Sequence, residues 1–172
     1  MRYLGKITNQ RIVFRTRPDP NNPGQTQIQF ALGAGAQALA IEGVLLNVSI
    51  EVDRWTAESL RAQSLPMPNP LPVQALVDTG ASQLALDSTI VHSLNLARRG
   101  IATCDTAAGR RIAHLYAVSL SFPGTDLRRY DMLRAVEVDL TNQPFKCLIG
   151  RETMANWHFH YNGQSGGVSI SD

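Results

Sequence analysis

Leu76-Val77-Asp78-Thr79-Gly80-Ala81-Ser82 is the stretch that decides the fold, because it places a carboxylate at the end of an apolar strand. Removing a carboxylate from water is costly unless nearby groups hold it. Gly80 allows a sharp turn and a close approach of the backbone, so its N–H and those of its neighbours can point back at the Asp78 carboxylate. Thr79 adds a methyl group for packing and a hydroxyl that can bond across an interface. The stretch therefore predicts a carboxylate held by its own loop.

Length and composition favour one soluble globular domain. The chain has 172 residues, of which 44% are hydrophobic, and this is enough to bury a substantial core. A formal net charge of +2 is too small to indicate nucleic-acid binding. The arginine pairs are dispersed along the chain, as expected for solvated loops and edges. We therefore expect no nucleic-acid partner.

The cysteines and histidines do not form a recognisable metal site. Cys104 and Cys147 are the only cysteines, and neither lies in a CxxC motif. They could pair in an oxidising compartment, although buried, small hydrophobic side chains are the favoured interpretation. His158 and His160 lie two apart on a predicted strand, and no third ligand is near them in sequence. We expect no metal and no other cofactor.

The apolar segments do not predict a membrane protein. The first six residues lack the apolar region of a secretory signal. Residues 31–50 are rich in apolar side chains, but Gln37, Glu42 and Asn47 interrupt them, which argues against a membrane span. We therefore expect a cytoplasmic protein without a membrane partner.

Alternation of polar and apolar residues predicts many short strands, so the fold class is mainly β. Helical turns are expected at 53–63, 89–96 and 153–156. The proline-rich segment 66–72 excludes both a helix and a central strand, and it predicts an extended surface linker. The main strand expectations are 11–14, 27–32, 39–41, 44–52, 73–77, a hairpin within 100–122, 133–140, 157–161 and 168–170.

The sequence lacks several motifs that are typical of other enzyme classes. The sequence contains no glycine-rich phosphate loop, no HExxH and no G-x-S-x-G. Chemistry is therefore expected at the Asp78 loop. An isolated Asp-Thr-Gly also occurs in ordinary turns, so the surrounding elements decide how it is interpreted.

The predicted elements around the Asp78 loop follow one another along the chain in a characteristic order. Asp78-Thr79-Gly80-Ala81-Ser82 is followed by a predicted helix, a hairpin with a small-residue tip, and then Leu148-Ile149-Gly150-Arg151 before another short helix. The set resembles a retropepsin-like aspartic protease, the single-domain type of retroviruses and retroelements that also has bacterial relatives. The resemblance implies a closed β-barrel of the acid protease fold with one or two short helices. It assigns 44–172 to the protease domain with an insertion at 53–72, and 1–43 to an N-terminal extension of short strands and turns.

The resemblance also implies a role for each matching residue. Asp78 is expected to be the catalytic carboxylate, and Thr79 to bond to the opposite subunit's loop in a reciprocal grip. The other members of the active-site loop and its support are Gly80, Ala81, Ser82, Leu148, Ile149 and Gly150. The expected flap, a hairpin that closes over substrate, has Ala107, Ala108, Gly109 and Arg110 at its tip.

The chemistry requires a second carboxyl group. Peptide hydrolysis of this kind needs one carboxylate to activate water and one carboxylic acid to polarise the carbonyl. The sequence has one Asp-Thr-Gly, and Asp105-Thr106-Ala107 lacks the glycine and lies too near to belong to a second lobe. We therefore expect a homodimer that acts on peptide or protein substrates. The alternatives are a catalytically silent dimeric module of the same fold that binds peptides or serves as a scaffold, and a β-barrel in which Asp78 merely caps a turn.

Overall fold

The computed structural model describes residues 15–18, 26–29, 34–106 and 109–172. Within these residues strands predominate over short helices, so the predicted mainly β class is confirmed. The strands are β1 (Arg15–Pro18), β2 (Thr26–Gln29), β3 (Val44–Val52), β4 (Leu71–Val77), β5 (Leu84–Asp87), β6 (Gly100–Thr106), β7 (Gly109–Ser121), β8 (Tyr130–Val138), β9 (Cys147–Ile149), β10 (His158–Asn162) and β11 (Gly167–Ser171). The helices are α1 (Ala34–Glu42), α2 (Arg54–Ala62), α3 (Ser88–Ser93) and α4 (Arg151–Met154).

The main sheet closes on itself. Among the described strands its order is β3-β4-β9-β5-β8-β7-β6, and β3 also pairs with β7. This extra pairing makes a hydrogen-bonded ring from β3 round to β7. It leaves β6 outside the ring, where its partner among the described strands is β7. The β4–β9 and β5–β8 pairs are parallel, whereas the other ring pairs are antiparallel. β1–β2 and β10–β11 are separate hairpins.

The ring encloses the hydrophobic core. Alternate residues of β3 point inward, as its polar–apolar pattern predicts, and each buried aliphatic side chain contributes about 1.5–3 kcal/mol to folding. The fully buried side chains come from strands all round the ring. They include Val48, Ile50, Leu84, Leu86, Val118, Leu120 and Ile149.

The strand predicted at 39–41 is wrong, because these residues belong to helix α1. Alanine recurs through this segment and is the strongest helix former, which outweighs the short apolar run. The helix places Leu39 in the core, and it ends at Gly43, whose φ of +72° suits glycine. The strand predicted at 11–14 lies outside the described residues.

Other elements begin or end a few residues away from their predicted boundaries. Helix α2 is present and begins after Asp53, whose carboxylate accepts hydrogen bonds from the N–H groups of Trp55 (3.1 Å) and Thr56 (3.2 Å). Strand β4 begins two residues earlier than predicted and includes Pro72, which lies opposite Ser49.

Cys104 and Cys147 are both free thiols, and Cys147 is fully buried. In the part of the chain that the structure describes, no helix has the length and apolar character that crossing a membrane requires.

Candidate active site

Asp78 lies directly after β4, where the parallel β4–β9 pair ends. Its backbone N–H donates to the carbonyl oxygen of Ile149 (3.0 Å), which extends the pairing of Val77 with Ile149 by one bond. The Asp78 side chain is half-buried, and its Oδ1 accepts a hydrogen bond from the Gly80 N–H (2.8 Å). The prediction that the loop's own backbone holds the carboxylate is therefore confirmed for Gly80.

The loop is shaped around the carboxylate. A Cβ added at Gly80 would lie 3.0 Å from Asp78 Oδ1, so a side chain here would crowd the carboxylate. The Ala81 N–H donates to the Asp78 carbonyl oxygen (3.2 Å) and closes the turn. Thr79 is exposed at the apex, and its hydroxyl has no hydrogen-bond partner within the described residues. The apex therefore presents a carboxylate and a hydroxyl to the outside.

Leu148, Ile149 and Gly150 lie directly against this loop. Leu148 pairs with Leu76 on one side and with Ala85 on the other. A Cβ on Gly150 would lie 2.4 Å from the carbonyl oxygen of Gln83 and 2.7 Å from its nitrogen. Only glycine allows this approach of two backbones, which is the physical reason for a glycine at this position. The structure thus brings together the two segments that the sequence analysis linked.

The start of helix α4 completes the contact. Gly150 caps this helix without a side chain, so the first N–H groups need other acceptors. The Arg151 N–H donates to the Ala81 carbonyl (3.0 Å), and the Glu152 N–H donates to the Ser82 carbonyl (3.0 Å). Ala81 and Ser82 are therefore joined to the start of α4 through their backbone oxygens.

Arg151 is a site residue to which the sequence analysis gave no role. Its Nη1 donates to the carbonyl oxygens of Thr79 (2.6 Å) and Gly80 (3.1 Å), so one guanidinium joins both residues that follow Asp78. The available signal was its position directly after Gly150 in a segment already linked to the loop. Sequence spacing alone does not show where a long side chain reaches.

The expected flap corresponds to the β6–β7 hairpin. Gly109 begins β7 with a φ of +104°, opposite Thr106, and Arg110 lies opposite Asp105. Ala107 and Ala108 lie outside the described residues. Ile101 and Ile112 are 65% and 75% exposed on one face of the hairpin. That the hairpin closes over a substrate stays a prediction.

The geometry limits the chemistry of one chain. A fixed, partly solvated carboxylate can accept or donate a proton, but it cannot do both at once. Within residues 15–18, 26–29, 34–106 and 109–172, no group of three or more His, Cys, Asp or Glu side chains is placed to hold a metal ion.

A sequence model of a family described as aspartyl protease matches residues 67–153, half of the chain. The match includes the Asp78 loop and the Leu148–Arg151 segment, and it confirms the resemblance on which the sequence analysis relied. No curated protein matches the chain.

The solved structures to which the chain shows similarity include two that are described as proteases. The EIAV protease in complex with the inhibitor HBY-793 is 17% identical, with 66% of this chain and 86% of that chain covered and a TM-score of 0.43. A retropepsin-like aspartic protease from Rickettsia conorii is 16% identical, with 73% and 79% covered and a TM-score of 0.46. A Legionella pneumophila protein of unknown function is 12% identical, with 65% and 84% covered and a TM-score of 0.35. At these scores the family assignment depends on the sequence match.

Proposed function

Because the chain belongs to the aspartyl protease family, we propose that it is an aspartic endopeptidase that works as a homodimer, with one Asp78 from each subunit. The domain that carries this activity is residues 44–172, with an insertion at 53–72 and an N-terminal extension at 1–43.

The observation that carries the proposal is the Asp78 loop itself. It holds a carboxylate in a fixed, partly solvated position, and the sequence contains only one Asp-Thr-Gly. A two-fold axis beside the loop apex would set two Asp78 carboxyl groups face to face. The exposed Thr79 hydroxyl supports the same arrangement, since it lies at the apex where it could bond to the second subunit's loop.

In such a dimer the two carboxyl groups share one proton, because repulsion between two neighbouring negative charges makes it unfavourable to ionise both. The ionised carboxylate takes a proton from a bound water, whose oxygen attacks the peptide carbonyl carbon. The protonated carboxyl donates its proton to the carbonyl oxygen, which gives a tetrahedral diol. The first carboxyl group then gives the proton that it took from water to the amide nitrogen, and the second carboxylate takes a proton from a hydroxyl of the diol. The C–N bond breaks, a carboxylic acid and an amine leave, and the carboxyl pair again holds one proton.

The β6–β7 hairpin is the element suited to cover the substrate. It extends beyond the closed ring, and its exposed Ile101 and Ile112 share a face. An extended peptide beneath it could make strand-like backbone hydrogen bonds, and closure would exclude water from the carboxyl pair.

The first test compares wild type with Asp78→Asn and with Asp126→Asn, a control that changes an exposed aspartate in a turn. Each protein is incubated with a diverse peptide library from mildly acidic to neutral pH, with and without pepstatin. We expect cleavage by wild type and the control, inhibition by pepstatin, and a loss of at least about a thousandfold in Asp78→Asn. Activity that persists in Asp78→Asn contradicts the assignment. Peptide binding without cleavage by wild type would instead indicate the silent module.

The second test addresses the shared site. Wild type is mixed with a large excess of inactive Asp78→Asn chain and allowed to exchange subunits. We expect activity to fall as mixed dimers replace wild-type dimers, whereas the same excess of an unrelated protein should have no effect. Undiminished activity after exchange, or a monomer by sedimentation at high concentration, would contradict the dimer.

A further inference from the structure

Strand β6 is an edge of the main sheet, with β7 on one side and no strand partner on the other within the described residues. It is 7 residues long, and its register with β7 runs from Gly100 opposite Leu115 to Thr106 opposite Gly109 without a shift. In an antiparallel pair, the backbone groups of alternate residues point away from the partner strand. The outer edge of β6 therefore presents a row of backbone donors and acceptors.

The sequence of β6 does not discourage further pairing at this edge. Edge strands are commonly protected by charged side chains, above all lysine, by proline, by a bulge or by short length. From Gly100 to Cys104 the strand contains neither a charged residue nor a proline, and its register is continuous. The edge is therefore suited to accept another polypeptide by backbone pairing.

One face of the hairpin offers apolar surface beside this edge. Ile101 and Thr103 lie on this face of β6, and Ile112 lies opposite Thr103 on β7. The two isoleucines are 65% and 75% exposed. His114, opposite Ile101, lies with Nδ1 3.3 Å from Glu137 Oε2, so this imidazole is directed toward the ring. A side chain placed next to Ile101 or Thr103 therefore gains apolar contact.

The opposite face of the hairpin is formed by small side chains and a positive charge. Ala102 and Cys104 lie on this face and are partly buried, and Arg111 lies opposite Cys104. Arg111 is exposed and has no acidic partner within the described residues. Asp105 is the one acidic residue in the sequence of the hairpin, and it lies on the first face, opposite Arg110. The second face therefore has a positive charge that a carboxylate of another chain can complement.

The two faces together define the pattern of a segment that fits this edge. A strand added beside β6 would lie about 5 Å from β6 and about 10 Å from β7. Its side chains would alternate between the two faces, so that every second one lies beside Ile101 and Thr103 and the others lie beside Ala102 and Cys104. Apolar side chains suit the first set. Carboxylates suit the second set, because the long side chain of Arg111 extends from the neighbouring strand on the same face.

We propose that the outer edge of β6 is a docking site for an extended segment of another protein, in which apolar residues alternate with glutamate or aspartate. The segment pairs its backbone with β6, covers Ile101 with apolar side chains and places its carboxylates near Arg111. The site goes beyond the proposed function, since it lies outside the Asp78 loop and requires no catalysis. Where the segment belongs to a substrate, docking lowers KM and leaves kcat unchanged, and this consequence rests on the proposed function.

Binding is measured with the Asp78→Asn chain, so that the probe is not cut. The probe is a fluorescently labelled peptide of about seven residues in which valine and glutamate alternate, and a second peptide has lysine in place of glutamate. We expect saturable binding of the glutamate peptide by fluorescence anisotropy and at least about tenfold weaker binding of the lysine peptide. Amide hydrogen exchange should slow at 100–104 and stay unchanged at 76–82. Absence of saturable binding, or slowing confined to 76–82, overturns the proposal.

Two further peptides test the backbone pairing. A strand that pairs at an edge uses the N–H groups of alternate residues. One peptide is N-methylated at every valine and the other at every glutamate, so only one of them keeps the N–H groups that face β6. We expect the affinities of these two peptides to differ by at least about tenfold, since several backbone hydrogen bonds are lost in one of them. Equal binding of the two overturns strand pairing.

Two substitutions in the Asp78→Asn chain test the charge. Arg111→Gln should weaken binding of the glutamate peptide about two- to fivefold, the range expected for an exposed ion pair, and should reduce the preference over the lysine peptide. Arg134→Gln changes an exposed arginine of β8 and should leave both affinities unchanged. An unchanged preference in Arg111→Gln overturns the assignment of the acidic residues. None of these measurements depends on cleavage, so the docking site and the proposed function fail separately.

Discussion

The Asp78 loop and the β6–β7 hairpin are held in contrasting ways. The loop is bonded along its length, with Asp78 joined to β9, Ala81 and Ser82 joined to α4, and Arg151 bound to two loop carbonyls. The hairpin forms an edge of the sheet, and at its root Arg99 donates to Asp53 (3.4 Å) and the Tyr116 hydroxyl donates to Glu137 (3.0 Å).

These two ways of being held suit two different tasks. A reacting group must stay within a fraction of an ångström of its productive position, which requires backbone contacts and several hydrogen bonds. A segment that admits substrate must open at low cost, so it needs few tertiary contacts beyond its base. Matched substitutions in the two regions therefore test whether the Asp78 loop is held more tightly than the hairpin.

The largest expected effect is that of Gly150→Ala. Its Cβ would lie 2.4 Å from the Gln83 carbonyl oxygen, so the backbones of two supporting segments must separate. We expect a loss of about 3 kcal/mol in the free energy of unfolding and loss of cleavage. Urea denaturation and the peptide assay measure both.

Gly100→Ala is the matched control in the hairpin. Its Cβ would lie 3.8 Å from Leu115 Cδ1, an ordinary contact, so we expect stability to be unchanged or raised by about 0.5 kcal/mol. Equal destabilisation by the two substitutions would show that the loop is no more constrained than the hairpin.

The next effect is that of Arg151→Gln on activity. Gln cannot reproduce the two guanidinium bonds to the Thr79 and Gly80 carbonyls, so the loop apex should shift while the fold remains. We expect kcat to fall at least about tenfold, since small displacements of a reacting group are costly. Arg134→Gln, which removes an exposed ion pair with Glu152, should leave kcat within about twofold. The idea fails if Arg151→Gln retains full kcat.

The sequence predicted the loop better than the elements around it. Alternation and turn chemistry depend on neighbouring residues. They were enough to predict β3, the hairpin and the contact of Gly80 with Asp78. Arg151 and Glu137 each contact residues that are far away in sequence, Thr79 and Tyr116, and no local pattern shows which long side chains meet. Helix α1 was missed because apolar alternation in an alanine-rich segment also fits a helix, which tertiary packing of Leu39 favours.

A third effect, at the contact between Arg99 and Asp53 at the root of the hairpin, depends on pH. Burial raises the pKa of Asp53, but hydrogen bonds from Thr56 and the nearby Arg99 outweigh it and hold the pKa below its usual value. The ionised form therefore contributes stability above about pH 4, and this contribution is lost as the pH falls through the lowered pKa.

Asp53→Asn keeps a capping side chain and removes the charge that faces Arg99. We expect it to lower the free energy of unfolding by about 1 kcal/mol at neutral pH, and the difference from wild type should shrink below about pH 4. Denaturation at several pH values measures this, with Asp126→Asn as the exposed control. A difference that is constant with pH would show that the charge of Asp53 is not involved.

The smallest effect is expected for Ile112→Thr in the hairpin. Ile112 is 75% exposed, and threonine keeps the β-branched shape that suits a strand, so the free energy of unfolding should change by less than about 0.5 kcal/mol. The same substitution at Ile149, which is fully buried beside Asp78, loses apolar burial and places a hydroxyl in the core, with an expected loss of about 2 kcal/mol. If Ile112→Thr costs as much as Ile149→Thr, the exposed face of the hairpin is packed in solution, and the view of a hairpin that is held less tightly than the Asp78 loop must be abandoned.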